Sequence, residues 1–355
     1  MITTEAVLAA LGKVNDPDLH RDLVTLGMIE GIEVAGGTVR FTLVLTTSAC
    51  PLKAEIEADC QQAVRAIPGV TAVEITTTSR VRKPKDPSAD RKALAGVGHV
   101  IAVGSGKGGV GKSTVAANLA IALAQTGANV GLLDGDIYGP NLPRMLGVNR
   151  QPYQKDGKIV PLEAHGIRFM SMGLLVDAGE AVVWRGPMLH GAIKSFLSDV
   201  DWSGSDYLVV DLPPGTGDVQ LSLIQQTVVT GAVIVTTPSM VAIEDGVKAI
   251  RMFEKLQVPV LGLIENMSYF ICDGCSKRHD IFSSGDAQTR ALTLGLPFLG
   301  ALPLEAAVRK GGDTGAPVVA ALPDSETAQA FRTIAGALAQ RISITTLGAS
   351  VGTPA

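Results

Sequence analysis

The sequence predicts an α/β fold: a doubly wound, mostly parallel sheet preceded by a small α+β unit. Three observations carry that expectation. From residue 100 on, short aliphatic runs alternate with helix-length stretches. The 355-residue chain is 46% hydrophobic but only 4% aromatic, with 40 glycines, a composition that suits strands buried on both faces by Val, Ile and Leu. A glycine-rich phosphate-loop pattern stands between the first such run and the helix after it.

Residues 1–79 read as the small α+β unit. Thr3 or Thr4 can cap a helix carrying Val7, Leu8 and Leu11. Val39-Arg40-Phe41-Thr42-Leu43-Val44-Leu45 alternates with period two, as a half-buried strand does. After Pro51, Leu52, Ile56 and Val64 predict a helix with one inward face, and residues 70–75 predict another strand. Residues 80–98, opening Arg80-Val81-Arg82-Lys83-Pro84-Lys85-Asp86-Pro87, are charged and weakly periodic and predict a solvated linker.

Residues 99–341 hold the alternating pattern. Strand signals at 100–103, 130–133, 207–210, 232–235 and 260–264 are separated by helical stretches such as 111–127 and 242–256, and 324–341 is the last helical signal. This is the βαβ signature, with ligands expected at the carboxyl ends of the strands. Residues 342–355 are rich in small side chains and predict a frayed tail.

Gly106-Lys107-Gly108-Gly109-Val110-Gly111-Lys112-Ser113 fits G-x-x-x-x-G-K-[ST], after a strand and before a helix, where its mechanism needs it. Glycines let backbone N–H groups turn toward phosphate oxygens at the positive end of the helix. Lys112 adds a point charge near the β- and γ-phosphates, the Ser113 hydroxyl a ligand for Mg2+, and Thr114 a hydrogen bond to the α-phosphate. The domain therefore reads as a P-loop NTPase that binds and hydrolyses ATP. Lys107 resembles the extra lysine of the deviant Walker A ATPases, the group of MinD, ParA, ArsA and the nitrogenase iron protein. That resemblance implies a homodimer in which Lys107 reaches the other subunit's nucleotide and neutralises charge on the transferred phosphoryl group.

Asp134-Gly135-Asp136 closes the apolar run 130–133, and Asp211-Leu212-Pro213-Pro214-Gly215 closes 207–210. A carboxylate ending a buried strand needs a cation or a hydrogen-bond network, and Mg2+ bound to ATP is such a cation. Asp211 matches the Walker B position and is expected to hold Mg2+ through water. Asp136 matches the switch I aspartate that positions or deprotonates the attacking water, with Asp134 behind it. Thr216, between Gly215 and Gly217, resembles switch II, which responds to the γ-phosphate. Asn266 follows the run 260–264, where relatives contact the adenine base.

Cys272-Asp273-Gly274-Cys275 is a C-x-x-C, which by itself is open to zinc, cluster and redox roles. Zinc and iron–sulfur clusters generally take four ligands. The chain has no second pair nearby, because Cys50 and Cys60 belong to the first unit. A two-fold dimer supplies four thiolates from two copies of Cys272 and Cys275.

Asn266-Met267-Ser268-Tyr269-Phe270-Ile271-Cys272, Cys275 and Ile281-Phe282 together resemble the Mrp/ApbC family of iron–sulfur cluster carrier ATPases. So do Asp134-Gly135-Asp136-Ile137-Tyr138-Gly139-Pro140 and Trp184-Arg185-Gly186-Pro187-Met188. The resemblance covers most of residues 100–341, and Asn141 stands where a serine is usual. It implies transient cluster binding and delivery to apo-proteins, with assembly factors as further partners and the nucleotide state affecting transfer; on the four-thiolate count a 4Fe-4S cluster bridging two chains is the expectation, with two irons left open. Asp16-Pro17, Asp22-Leu23-Val24-Thr25-Leu26-Gly27-Met28-Ile29 and Thr47-Ser48-Ala49-Cys50-Pro51 resemble the PaaD-like iron–sulfur assembly domain that often precedes this ATPase. Cys50 stands just before a predicted helix, where the dipole lowers a thiol's pKa, which leaves open a reactive thiol or a semi-buried structural one. Cys60, on the amphipathic helix, reads as core.

Composition narrows the alternatives. A net charge of −4 offers no basic field for nucleic acid. The longest apolar stretch, 228–243, is broken by Thr, Pro and Ser, so no membrane span is expected, and the start lacks the basic n-region of a secretory signal. Four cysteines are too few for a disulfide framework, and the expected compartment is the cytoplasm. A MinD/ParA-like positioning or partition ATPase is the rival reading, and a nucleotide-switched scaffold the third. Membrane-positioning relatives end in a basic amphipathic helix, whereas residues 342–355 hold no Lys or Arg.

Overall fold

The computed structural model describes residues 2–81, 93–175, 186–272, 274–275, 277–282 and 285–348. Trp184, Arg185 and most of the predicted linker lie outside the described residues. Backbone contacts divide the chain into two units: Met1–Arg82 together with Ala339–Ala355, and Lys83–Leu338.

In the first unit the Thr3 side chain accepts from the Ala6 N–H at 3.2 Å and starts α1 (Thr4–Leu11). A short antiparallel pair, β1 (Asn15–Asp16) and β2 (Arg21–Asp22), leads to the hairpin of β3 (Ile29–Ala35) and β4 (Thr38–Leu45). Its two-residue turn is Gly36-Gly37, with φ of 55° and 94°, the positive values such a turn needs. α2 (Lys53–Arg65) then crosses over so that β5 (Ala72–Ser79) pairs parallel to β4. Val7, Leu11, Phe41, Leu43, Ile56, Cys60 and Val64 share one core. β3 carries Glu30 and Glu33 and is half exposed, so its place comes from pairing with β4 rather than from a signal of its own.

The second unit is built on β6 (Val97–Gly104), β7 (Val130–Asp134), the small hairpin β8 (Tyr153–Lys155) and β9 (Lys158–Val160), β10 (Leu162–Ala164), β11 (Ile167–Ser171), β12 (Ser205–Asp211), β13 (Gly231–Thr236), β14 (Val260–Ile271), β15 (Arg278–His279) and β16 (Phe298–Leu304). The central sheet has the order β10-β11-β7-β12-β6-β13-β14, with β15 and β16 both on β14. From β11 to β16 the pairings are parallel, and β10 and β15 add antiparallel edges. The helices are α3 (Lys112–Ala124), α4 (Leu142–Leu146), α5 (Gly186–Ser198), α6 (Asp218–Gln226), α7 (Met240–Lys255), α8 (Asp286–Thr293), α9 (Ala306–Thr314), α10 (Val318–Ala321) and the first part of α11 (Glu326–Gly348), whose residues from Ala339 on belong to the first unit. The chain runs from β6 outward to β7 and β11, returns to set β12 beside β6, and continues on the other side with β13. Its direction of travel reverses about β6, which makes the carboxyl end of that strand the expected ligand crevice.

Two sequence expectations are corrected by the fold. The last helix does not end at Arg341, since α11 runs on through the segment expected to fray, to Gly348. Its end is held by contacts that helix propensity does not register. Ile342 is buried, the Gln340 amide donates to Asp18 at 2.5 Å, and the Thr46 and Ser343 hydroxyls lie 2.9 Å apart. The strand expected to end at residue 264 is β14, which continues to Ile271 because β16 and β15 both pair with its second half. Among the described residues no helix is long and apolar enough to cross a membrane.

Candidate functional site

The phosphate loop spans the gap between β6 and α3. Gly109 and Gly111 take φ of 82° and 80°, and Gly111 is the N-cap of α3. Gly106 answers to a different constraint. A Cβ there would lie 2.0 Å from the backbone carbonyl carbon of Asp245 and 2.4 Å from the Gly246 nitrogen, so the loop packs directly on the backbone of α7. The segment expected to act as switch II is tied to the start of the loop, through the Gly215 N–H donating to the Ser105 carbonyl at 2.8 Å.

Sheet register brings the acidic residues level. Asp211 at the end of β12 stands opposite Val103 on one side and Asp134 on the other, and Ser171 stands opposite Asp134. Lys112, only 6% exposed, reaches into this row. Its Nζ lies 2.5 Å from Asp211 Oδ1 and 3.7 Å from Asp136 Oδ2, and donates to Ser113 Oγ at 3.3 Å. Asp211 Oδ2 is buried and has no hydrogen-bond donor among the described residues. Such an orphan acceptor, beside the Ser113 hydroxyl, fits a hydrated divalent cation, whose bound waters are donors.

Asp134 is fully enclosed. Its Oδ2 accepts from Ser171 Oγ at 2.8 Å and from the Leu142 N–H at 3.3 Å, and its Oδ1 accepts from the Asp136 N–H at 3.2 Å. Burial, and then the charge of Asp211, push its carboxyl up to about 8. Burial raises Asp136 too, against the pull of Lys112. A raised carboxyl holds its proton more tightly in the folded chain than in the unfolded one, where the ordinary value is about 3.9. The stability this contributes is complete below about pH 4 and is lost as pH rises toward about 8. Asp134→Asn removes that titration. The melting temperature of Asp134→Asn relative to wild type, without nucleotide, is therefore expected to climb between about pH 4 and about pH 8. Parallel pH profiles for the two chains would contradict the assignment.

β14 carries the remaining candidates. The Asn266 amide donates to the Val110 carbonyl at 2.8 Å, so the residue lies against the phosphate loop. Cys272 directly follows β14, its N–H donating to the Lys277 carbonyl at 3.0 Å, and β15 pairs back through Phe270↔His279 and Ile271↔Arg278. Cys272 and Cys275 thus share the turn of a hairpin, the first half-buried and the second exposed. The Arg278 guanidinium covers the Tyr269 ring, 4.0 Å from its centroid, and stiffens the hairpin's base. Among the described residues no three Cys, His, Asp or Glu side chains converge as a metal set, so one chain offers this pair alone. Lys107 is half-exposed and has no side-chain partner among the described residues.

Residues 96–339 match the NUBPL iron-transfer P-loop NTPases. The chain belongs to that family. It is an ATPase by the same membership, and residues 4–75 match the iron–sulfur cluster assembly proteins. A protein of Deinococcus radiodurans called iron–sulfur cluster carrier protein is 54% identical over 345 residues, 97% of each chain. One of the same description from Escherichia coli is 41% identical over 344 residues, 95% of this chain and 91% of that one. Among solved structures, a nucleotide-binding protein of Archaeoglobus fulgidus in complex with ADP is 38% identical with a TM-score of 0.55, covering 62% of this chain and 88% of its own. The septum site-determining protein MinD of Pyrococcus horikoshii, complexed with Mg-ADP, is 26% identical with a TM-score of 0.51, covering 67% and 94%.

Within this family member, Lys112, Ser113, Asp136 and Asp211 form one cluster, with Asn266 against the loop, while Cys272 and Cys275 stand on the hairpin at the end of β14. The expectation that a helix dipole lowers the Cys50 thiol is corrected. Burial pushes it up and outweighs the Leu52 N–H at the helix start, which pulls it down, and Asp16 and Asp18 raise it further. Cys60 is core, its thiol pushed up to about 12 by burial. Sequence reading missed Glu265 and Ser171. Glu265 had a usable signal, because it ends the run Leu261-Gly262-Leu263-Ile264 just as Asp134 and Asp211 end theirs.

Proposed function

We propose that this ATPase carries an iron–sulfur cluster on Cys272 and Cys275, shared with the same pair of a second copy, and delivers it to apo-proteins under control of its nucleotide. The observation that carries the proposal is that a single strand, β14, holds Asn266, bonded to the phosphate loop, and runs directly into Cys272. The relatives described as cluster carriers, aligned over nearly the whole chain, support the cargo. A reducing compartment such as the cytoplasm suits exposed thiols at this spacing.

Exposed apolar residues support a homodimer. Tyr138 follows β7, Met240 and Val241 open α7 after β13, and Ile281 and Phe282 follow the cysteine hairpin, each 53–66% exposed. In such a pair the half-exposed Lys107 is the residue that would meet the nucleotide of the other subunit. Within one chain, Lys112 exchanges Asp211 for the β- and γ-phosphates when ATP enters. Ser113 and Asp211 would hold Mg2+, while Thr114 would meet the α-phosphate and Asn266 the adenine. Bound Mg2+ supplies charge neutralisation at the phosphates. Asp136, at the mouth of the site, orients the attacking water. The positioning or partition reading has less support: neither needs the cysteine pair.

The test is anaerobic reconstitution with iron and sulfide, followed by transfer to an apo-enzyme with and without MgATP. A dimer holding one four-iron cluster, and a transfer rate that depends on nucleotide, are expected. Iron bound by a monomer would refute the shared site, and transfer indifferent to nucleotide would refute the control.

A further inference from the structure

Glu265 is fully buried, yet it carries a carboxylate that neither the phosphate loop nor the cysteine pair explains. It sits between two neighbouring strands, opposite Thr236 of β13 and Ala301 of β16. Directly after it the ladder breaks: register shifts between Glu265 and Tyr269, and Met267 takes a φ of 55°. The carboxylate ties the outgoing bulge to the point where the chain comes back. Oε1 accepts from Ser268 Oγ at 2.5 Å and from the Gly285 N–H at 3.1 Å, and Oε2 accepts from the Ala287 N–H at 2.9 Å. Ser268 lies on the bulge, whereas Gly285 and Ala287 belong to the start of α8, where the chain returns. The excursion between them bears Cys272 and Cys275.

The bulge is also what touches the nucleotide loop. Asn266 donates to the Val110 carbonyl, and a Cβ on Gly111 would lie 2.2 Å from Asn266 Nδ2 and 3.5 Å from Met267 Cε. A shift of the loop therefore displaces residues 266–268 first. With its three donors in place, Glu265 makes that bulge and the returning helix end move as one piece. Without it this direct tie between the bulge and the start of α8 is lost.

We propose that Glu265 is a positioning residue that locks the cysteine-bearing excursion to the phosphate loop, so that nucleotide occupancy is felt at Cys272. This rests on the reading of Cys272 and Cys275 as the cargo site, but the lock itself is testable without cargo. A helix N-terminus held by a carboxylate is ordinary capping. Transmission is the added claim, and it has its own readout.

Amide hydrogen exchange on the full-length, cluster-free chain, alone and with saturating MgADP, supplies that readout. In the wild type, ADP slows exchange in the loop 105–111 and also in 268–272. Glu265→Gln keeps the shape but turns an amide N–H toward a backbone N–H, replacing a charge-assisted bond with a repulsive contact. ADP is expected to protect its loop as before, while the effect on 268–272 falls about tenfold or more. Glu265→Asp, one methylene shorter but charged, restores part of it. If Glu265→Gln responds at 268–272 as the wild type does, or if the wild type shows no response there, the lock is refuted. Should Glu265→Gln fail to fold, Ser268→Ala decides the matter in the same way, because it removes one donor and leaves the two backbone bonds. Exchange is read without iron, so failure of cluster binding and failure of the lock are separate results.

Discussion

Lys112→Ala is expected to abolish ATP hydrolysis and, in addition, to weaken the nucleotide-free fold. The first effect follows from losing the cation aimed at the phosphates, a loss of roughly 10²-fold or more in turnover. The second follows from burial. Lys112 and Asp211 are 6% and 1% exposed, and Asp134 and Asp136 share the same cation. Removing one partner of a buried pair costs about 3–5 kcal/mol, because the other charge is stranded. Uptake of a proton by the stranded carboxylates relieves part of that, so the loss is expected to shrink as pH falls. Lys112→Ala with Asp211→Asn is expected to recover most of the stability and none of the activity. Thermal melts of the three chains, with ATPase assays alongside, check both halves. A Lys112→Ala chain that hydrolyses ATP normally would sink the site assignment, and one that melts with the wild type would show that the buried cation contributes nothing to the fold.

Cys272→Ala with Cys275→Ala is the second large effect, expected to reduce iron after reconstitution to background while leaving cluster-free ATPase activity intact. The reasoning is a ligand count. Among the described residues nothing else near the pair completes a metal set, so two chains supply four thiolates and the variant supplies none. The hairpin should survive the change. The bond from Cys272 to Lys277 and the pairing of Phe270 with His279 use backbone groups that alanine retains. Cys275→Ala alone leaves two thiolates per pair of chains, and any iron it takes up is expected to be rapidly lost to a chelator. Absorbance, iron and sulfide content, and size in solution report on all of this. Iron bound by the double variant at wild-type level would move the cargo site elsewhere.

The contrast between what sequence reading reached and what it missed has a physical basis. β6, β7, β12, β13 and the start of β14 were legible because strands buried on both faces must be continuous apolar runs. β11, Ile167-Arg168-Phe169-Met170-Ser171, hides an arginine inside its run, and β16 contains Gly300 and Pro303, which composition counts against a strand. Of the two readings left open for Cys50, the half-buried structural one fits the raised thiol, because enclosure there outweighs the nearby helix start.

The phosphate loop was determined by the sequence itself, since its glycines, Lys112 and Ser113 act within one turn of chain and their spacing is their geometry. The pairing of two cysteines across three residues was determined in the same local way. Tertiary structure alone decided which groups those residues meet. Lys112 finds Asp211, 99 positions away, because adjacent parallel strands end level. Glu265 reaches Gly285 and Ala287 because β14 leaves the sheet and α8 returns to it. Segment 342–348 is helical because distant side chains hold it. Burial and partnership are sums over the whole fold, and these, rather than residue type, set what a buried charge does.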